Sequence, residues 1–416
     1  MRPSLTAIAI ATAVLFGATA SAAPAPAPTP ATAPEAARRL AQDAVIVDTH
    51  IDSPTELLKH WNDLGVAVPT REFDYPRARA GGLDVAFMSI YTSPGEDAAG
   101  KAWQVANMQI DAIEALVARH PDKFALLRSP GDVERLRAGG RVLLALGMEN
   151  GAPIGDDLSQ LAAFHARGVR YITLAHSQNN RISDSSYDLT RRWTGLSPFG
   201  EQVVAEMNRL GIMVDVSHLS DDAVADVLRV TDVPVIASHS GMRHFTPGFE
   251  RNLSDALATA IAAKGGVVQI VFGSAFIDAT SAANTQAYFR AEADLRRDNA
   301  AAVAAGRPER SAEDFDKAWN AAHPPLPTRL DAVLDQIDHA VKVIGIDHVG
   351  IGSDFDGVGG ELPEGLRTVA DYPNLVAGMQ RRGYSDGDIR RILGGNLLRV
   401  WQAVDAAALA PAPPRP

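Results

Sequence analysis

Short apolar runs alternate with longer amphipathic stretches along most of this chain. Eight of the runs read as strands: Ala44–Val47, Leu83–Ile90, Val142–Leu146, Tyr171–Ala175, Ile212–Val216, Val235–Ala237, Val267–Val271 and Val349–Ile351. Most are apolar throughout rather than alternating, as in parallel strands covered on both faces. Between them, Trp103–His120, Gly200–Leu210 and Asp221–Val230 repeat apolar residues near a 3.6 period and read as helices. Ser220 and Ser254 stand where N-caps belong, each followed by acid in the first turn. Eight strand–helix repeats predict a TIM-like (β/α)8 barrel, with an open doubly wound sheet as the alternative. The stretch 278–327 breaks the rhythm. It is polar, charged and Ala-rich, with helices expected over Tyr288–Asn299 and Ser311–Ala322. We read it as an insertion after strand seven, on the rim of the barrel, serving as a lid or a dimer contact. No internal sequence repeat is present.

The two ends read differently. Arg2, the small apolar stretch Ala7–Ala20 and the run Ala20-Ser21-Ala22 make residues 1–22 an expected signal peptide. The apolar stretch is shorter than the roughly 20 residues that span a bilayer. The expectation is an exported protein, periplasmic or secreted, with no stable membrane anchor. Residues 23–37 are Ala/Pro-rich and read as a disordered linker, and 407–416 as a disordered tail. That leaves 38–406 as one catalytic-sized domain.

Composition narrows the chemistry. The 416 residues are globular in make-up, and no block of Lys/Arg interrupts the net charge of −11, so a nucleic-acid partner is not expected. There is no Cys, which removes disulfides, thiolate metal sites and a Cys nucleophile. A metal would have to sit on His, Asp or Glu.

Those residues cluster at the C-terminal ends of the expected strands, the catalytic face of a barrel. His50 and Asp52 follow strand one, Glu149 strand three, His176 strand four, His218 strand five, His239 strand six and Asp354 strand eight. Two apart on an extended strand, His50 and Asp52 point to the same side. Five candidate ligands (His50, Asp52, Glu149, His218, His239) exceed what one catalytic Zn2+ takes and suit two ions, with Glu149 between them. A hydroxide between the ions is the expected nucleophile. The His-rich set favours Zn2+, with Mn2+, Co2+ and Fe2+ as other divalent choices. Asp354, in Gly352-Ser353-Asp354-Phe355-Asp356-Gly357, reads as a proton carrier or as a turn-capping Asp. Asp356 reads as structural. His176 reads as an oxyanion partner or as a packed strand-end His. Arg251 reads as a clamp for a substrate carboxylate or as a solvated surface charge.

These segments together resemble the renal (membrane) dipeptidase family of metallopeptidases, within the amidohydrolase superfamily. The supporting runs are Asp48-Thr49-His50-Ile51-Asp52, Gly147-Met148-Glu149-Asn150-Gly151, Leu174-Ala175-His176, Asp215-Val216-Ser217-His218, Ala237-Ser238-His239-Ser240, Arg251-Asn252, the Gly352–Gly357 run and Gly395-Asn396-Leu397-Leu398-Arg399-Val400. The resemblance extends from about Asp43 to Val404. It implies a (β/α)8 barrel with two zinc ions, His50, Asp52 and Glu149 on one and Glu149, His218 and His239 on the other. It implies substrate roles for His176 and Arg251 and proton transfer by Asp354. It further implies a dipeptide substrate, in some members with a C-terminal D-residue or a β-lactam, and commonly a homodimer. The run Asn150-Gly151-Ala152-Pro153-Ile154 departs from the Gly-Gly-His-Ser type of mammalian members, and Ser177-Gln178-Asn179-Asn180 looks like a bacterial branch. Competing readings are another amidohydrolase acting on amides or lactams, and an exported solute-binding protein. Many amidohydrolases bridge their metals with a carboxylated Lys, and no Lys ends strand three or four here.

Overall fold

A computed structural model of the chain describes residues 33–409. It contains nine parallel strands: β1 (Ile46–Ile51), β2 (Leu83–Tyr91), β3 (Phe124–Leu126), β4 (Val142–Glu149), β5 (Val169–Thr173), β6 (Met213–Asp215), β7 (Ile236–Ser240), β8 (Val267–Ile270) and β9 (Val349–Ile351). Eight of them run in the order β1-β2-β4-β5-β6-β7-β8-β9, and helices fill the connections between most of them. This is the expected (β/α)8 barrel. The ninth strand, β3, was not anticipated. Only three residues long, it pairs with the first half of β4 (Phe124 with Val142), below the point where β5 joins at Leu146.

Strand alternation sorts the core into two bodies. Val85 and Phe87 of β2, Leu143 and Ala145 of β4, Tyr171, Met213, Ile236 and Val267 form one cluster. Their neighbours in sequence, Ala86, Met88, Leu144 and Leu146, pack instead with the helices. The first set fills the barrel interior. Its lower end is covered by the last helix, Asn396–Leu409, whose Trp401 packs its ring 5.3 Å from Phe87. One step further along each strand the inward position turns polar: Ser89 follows Phe87, and Glu149 follows Gly147. The site therefore stands on a packed apolar plug.

β1 and β9 close the barrel chiefly through side chains. Backbone contact at this seam comprises the bridge Ile51–Phe355 and the bonds from Asp354 N to the His50 carbonyl and from Asp52 N to the Phe355 carbonyl. Asp48 Oδ1 accepts from Ser353 N (2.9 Å) and His50 N (3.1 Å), and its other oxygen accepts from the Tyr372 hydroxyl. Thr49 Oγ1 donates to the Ile351 carbonyl at 3.0 Å.

Several expected boundaries move. β1 and β4 continue through polar residues where the apolar runs stop, because those residues face the top of the barrel. The insertion forms two helices, Ala279–Ala304 and Ala312–Ala322, the first much longer than Tyr288–Asn299. The expected linker 23–37 overlaps the helix Glu35–Asp43, whose Ala37 is fully buried, so apolar packing holds residues read as disordered. The expected tail 407–416 overlaps the last helix, which runs to Leu409. The expected signal peptide, residues 1–22, lies outside the described residues.

Asp48→Ala would leave three buried donors without an acceptor, at about 1–3 kcal/mol each. The expected loss in denaturant unfolding is several-fold that of Tyr372→Phe, about 1 kcal/mol. Wild-type stability in Asp48→Ala would mean that other contacts hold the seam.

Candidate metal centre

The structure gathers all eight residues singled out in the sequence at the C-terminal mouth of the barrel. His50 is the penultimate residue of β1, and Asp52 lies just past the strand as the residue before helix Ser53–Lys59. The two meet, His50 Nε2 lying 3.5 Å from Asp52 Oδ2. Here β1 has an irregular register from Asp48 to Ile51, and Asp52 has left extended backbone (φ −90°, ψ 15°). Glu149 ends β4, and its two oxygens face different partners. Oε2 lies 3.4 Å from His50 Nε2. Oε1 lies 3.0 Å from His218 Nε2 and 3.3 Å from His239 Nε2. The two imidazole Nε2 atoms are themselves 2.9 Å apart.

His218 (φ +68°) and Asp354 (φ +67°) hold left-handed backbone, a region that costs a non-glycine residue about 1–3 kcal/mol and clusters at functional sites. Gly357 makes room for the acids: a Cβ there would stand 2.2 Å from Asp52 Oδ2 and 2.5 Å from Asp354 Oδ1.

Two hydrogen-bond relays set the imidazoles. The Tyr171 hydroxyl donates to the Thr49 carbonyl (3.0 Å), so it accepts from His50 Nδ1 at 2.8 Å. Ser238 Oγ donates to Asp215 Oδ2 (2.6 Å), so it accepts from His239 Nδ1 at 2.8 Å. In the neutral ring, this leaves Nε2 unprotonated and turned to the centre, the form a metal binds. Tyr171 reaches across the barrel over Gly147, where a Cβ would stand 2.0 Å from its ring.

Electrostatics agree at His239 but not at His50: although burial opposes it, Tyr171, Glu149 and Asp52 hold the His50 ring well above the ordinary imidazole value. Burial alone would raise Glu149, but His50, His176, His218 and His239 around it hold the carboxyl well below the usual carboxylate range. Burial pushes His218 and His239 well below the ordinary imidazole value, aided by Arg251 at His218 and by His50, then Arg251, at His239. Burial, then the Asp52 charge, pushes Asp354 well above the usual range. An anionic Glu149 thus stands between His218 and His239, which burial keeps neutral, and His50, whose charged form the neighbouring acids favour, with a protonatable Asp354 beside them.

The donor set fits a metal. His50 Nε2 and Asp52 Oδ2 are buried and have no hydrogen-bond partner among the described residues, and they converge with Glu149 on one point. Glu149, His176 and His218 form a second such group, and His50, His239 and Asp354 a third. His176 therefore stands about as near as the expected ligands, its Nε2 3.6 Å from Glu149 Oε1. Arg251, read as either clamp or surface charge, is buried. It donates from Nη1 to Ser240 Oγ (3.0 Å) and from Nη2 to the His239 carbonyl (2.8 Å), and no described carboxylate pairs with it. A buried cation without a counter-ion suits an anionic ligand. Asp356, as expected, is structural: it accepts from Ser53 Oγ (2.6 Å) and Glu72 N (2.8 Å).

Residues 34–412 match the family model described as membrane dipeptidase, Peptidase family M19. The chain belongs to this family of dipeptidases. Among curated relatives, Dipeptidase tcpJ of Claviceps purpurea is 31% identical over 351 residues, covering 82% of this chain and 72% of that protein. The crystal structure of the probable dipeptidase PvdM from Pseudomonas aeruginosa superposes with a TM-score of 0.76 at 30% identity, over 90% of this chain and 98% of that one. A metallo peptidase from Rhodobacter sphaeroides, liganded with a phosphinate mimic of the dipeptide L-Ala-D-Ala, gives 0.69 at 26% identity, over 87% and 99%.

Sequence reading of this dipeptidase missed the residues around the site. Tyr171, Ser238 and Asp215 sit inside quoted strand runs, where nothing local says which side chain crosses the barrel. Tyr91, Tyr187, Phe276 and Phe289 line the cavity of about 310 Å³ above the centre, and they come from four separate segments.

Tyr171→Phe removes only the hydroxyl that fixes the His50 tautomer. The fold should persist while metal affinity drops about 10–100-fold, read by competition with a chromophoric chelator. Unchanged affinity would show that the ring orientation is set elsewhere. Glu72, beside Asp356, is pushed by burial from its ordinary 4.5 up to about 7. Its favourable contribution is present below 4.5 and is lost as pH rises through 7. In metal-free protein, the Tm of Glu72→Gln relative to wild type should therefore climb between pH 5 and pH 8. A pH-independent difference would contradict the assignment.

Proposed function

We propose that this chain is a binuclear zinc dipeptidase in which Glu149 is shared by both ions. The observation that carries this reading is the opposed facing of its two carboxylate oxygens, one toward His50 and the other toward His218 and His239. His50 and Asp52 would complete one ion's ligands, and His218 and His239 the other's. When bound, such a pair supplies a water acidic enough to attack at neutral pH and polarises the scissile carbonyl.

The chain's own residues do the rest. Arg251 holds the dipeptide's C-terminal carboxylate with the guanidinium face that protein carboxylates leave free. His176, 19% exposed at its side chain, donates a hydrogen bond to the oxygen that gains charge as the carbonyl is attacked. Asp354 takes the proton released in that attack and returns it to the departing amine, so one amide C–N bond breaks and two amino acids leave. Burial and Asp52 favour its protonated form, which suits the second of those transfers. The ligand carried by the Rhodobacter sphaeroides relative supports acceptance of a D-residue at the second position. The basic start and small apolar stretch at the N-terminus support export.

The test is amino-acid release from L,L and L,D dipeptides by zinc-loaded protein, beside chelated protein and Asp354→Asn. Wild type should turn over, chelation should abolish turnover, and Asp354→Asn should lose about 10²–10⁴-fold in kcat with metal content retained. Two bound zinc ions without hydrolysis of any dipeptide would refute the reading.

A further inference from the structure

Phe289 is a single side chain shared by three cavities. It lines the cavity of about 310 Å³ over the metal centre, together with Tyr187 and Phe276. It also lines an outer cavity of about 420 Å³, again with Tyr187, and with Arg191, Glu250 and Arg290. A third space of about 220 Å³, between the two insertion helices, is bounded by Phe289, Tyr288 and Trp319. Phe289 comes from the helix Ala279–Ala304, whereas Tyr187 comes from the loop between β5 and β6. Their rings stack at 4.1 Å and 28°.

This pair stands on the Arg251 side of the site. Tyr187 packs edge-on against His218 (5.7 Å) and tilted against Phe249 (6.0 Å). Phe249 packs on Phe276 (6.1 Å), and the Arg251 guanidinium lies 5.1 Å from the Phe276 ring. Tyr187 is fixed by the barrel: its N donates to Ser185 Oγ at 3.1 Å, and the preceding Ser186 N donates to the His218 carbonyl at 2.8 Å. Phe289 belongs to a rim helix whose buried residues are few: Ser281, Ala282, Leu295 and Ala302.

We propose that the Phe289 ring, stacked on Tyr187, is the wall that limits substrates to two residues, by separating the inner cavity from an outer one that would otherwise receive a third. This deepens the function proposed above and rests on Arg251 holding the dipeptide carboxylate. A peptide extended at its C-terminus must continue past Arg251, and the stacked rings stand on that side. Beyond them, Arg191 is neutralised by Glu250, while Arg290 is exposed with no ion-pair partner among the described residues. The outer cavity thus offers a cation to the carboxylate of a longer peptide once the wall is removed.

The experiment compares kcat/KM for dialanine and trialanine in the zinc-loaded wild type, Phe289→Ala and Phe289→Tyr, with zinc content and Tm measured for each. Phe289→Ala should raise the trialanine-to-dialanine ratio by about tenfold or more, the scale on which reshaping an apolar pocket changes specificity. Phe289→Tyr should keep the wild-type ratio. An unchanged ratio in dialanine-active Phe289→Ala would overturn the proposal. So would loss of both activities with zinc and Tm retained, because Phe289 would then be a contact the substrate needs. Failure of the wild type on dialanine and every other dipeptide would instead reject the function proposed above.

Discussion

Everything at the mouth of this barrel is arranged around one buried carboxylate. Glu149 is carried by a strand whose seven preceding residues are Val, Leu, Leu, Ala, Leu, Gly and Met, all buried. An isolated charge at that depth is expensive. It is tolerated here because four imidazoles surround it and because Ser89 Oγ donates to it at 3.2 Å. Burial, working against the pull of this acid, keeps His218 and His239 neutral, and their Nε2 atoms, 2.9 Å apart, cannot both carry protons toward each other. A bound metal ion would resolve that crowding, and the family to which the chain belongs is one of dipeptidases.

Rigidity is built outward from that point. Tyr171 and Ser238 fix the far nitrogens of two rings, and Asp215 in turn anchors Ser238 while also accepting from Ser217 N and Ser238 N. Left-handed backbone at His218 and Asp354 aims side chains that a relaxed chain would turn elsewhere. Such conformations persist only where the surroundings over-determine them. The filled barrel below, with Trp401 packed against Phe87, supplies that support. By contrast, the walls of the cavity above the centre come partly from the insertion, whose two helices bury few residues.

The barrel was legible because its strands are apolar runs and its helices carry caps such as Ser220 and Ser254, both of which accept from the third residue onward. The polar residues at the mouth were legible for the complementary reason: each interrupts an apolar run at its end. What escaped was anything decided across the barrel. Tyr171 looks like one more strand aromatic until its hydroxyl is found on His50. Three-residue β3 lacks a pattern of its own and exists because β4 leaves an edge open there. Burial of Arg251 was invisible too, as no local pattern distinguishes a buried guanidinium from a solvated one. The ends were misjudged at Glu35–Ala37 and 407–409, where Ala-rich composition suggested disorder but tertiary packing and helix continuation prevail.

The seam between the first and last strands carries a consequence for timing. Asp48 and Tyr372 are 324 residues apart, yet they share a buried bond beside His50, and Asp354 reaches the centre only from the last strand. A ribosome must therefore deliver nearly the whole polypeptide before these groups can meet. Bringing such distant segments together is slow, because the entropy of closing the long loop is lost before any contact compensates it. A chain that ends before β9 lacks Asp354 and also lacks the strand that closes the ring. The fold thus ties assembly of the site to the final stave: a copy cut before it has neither Asp354 nor a closed ring.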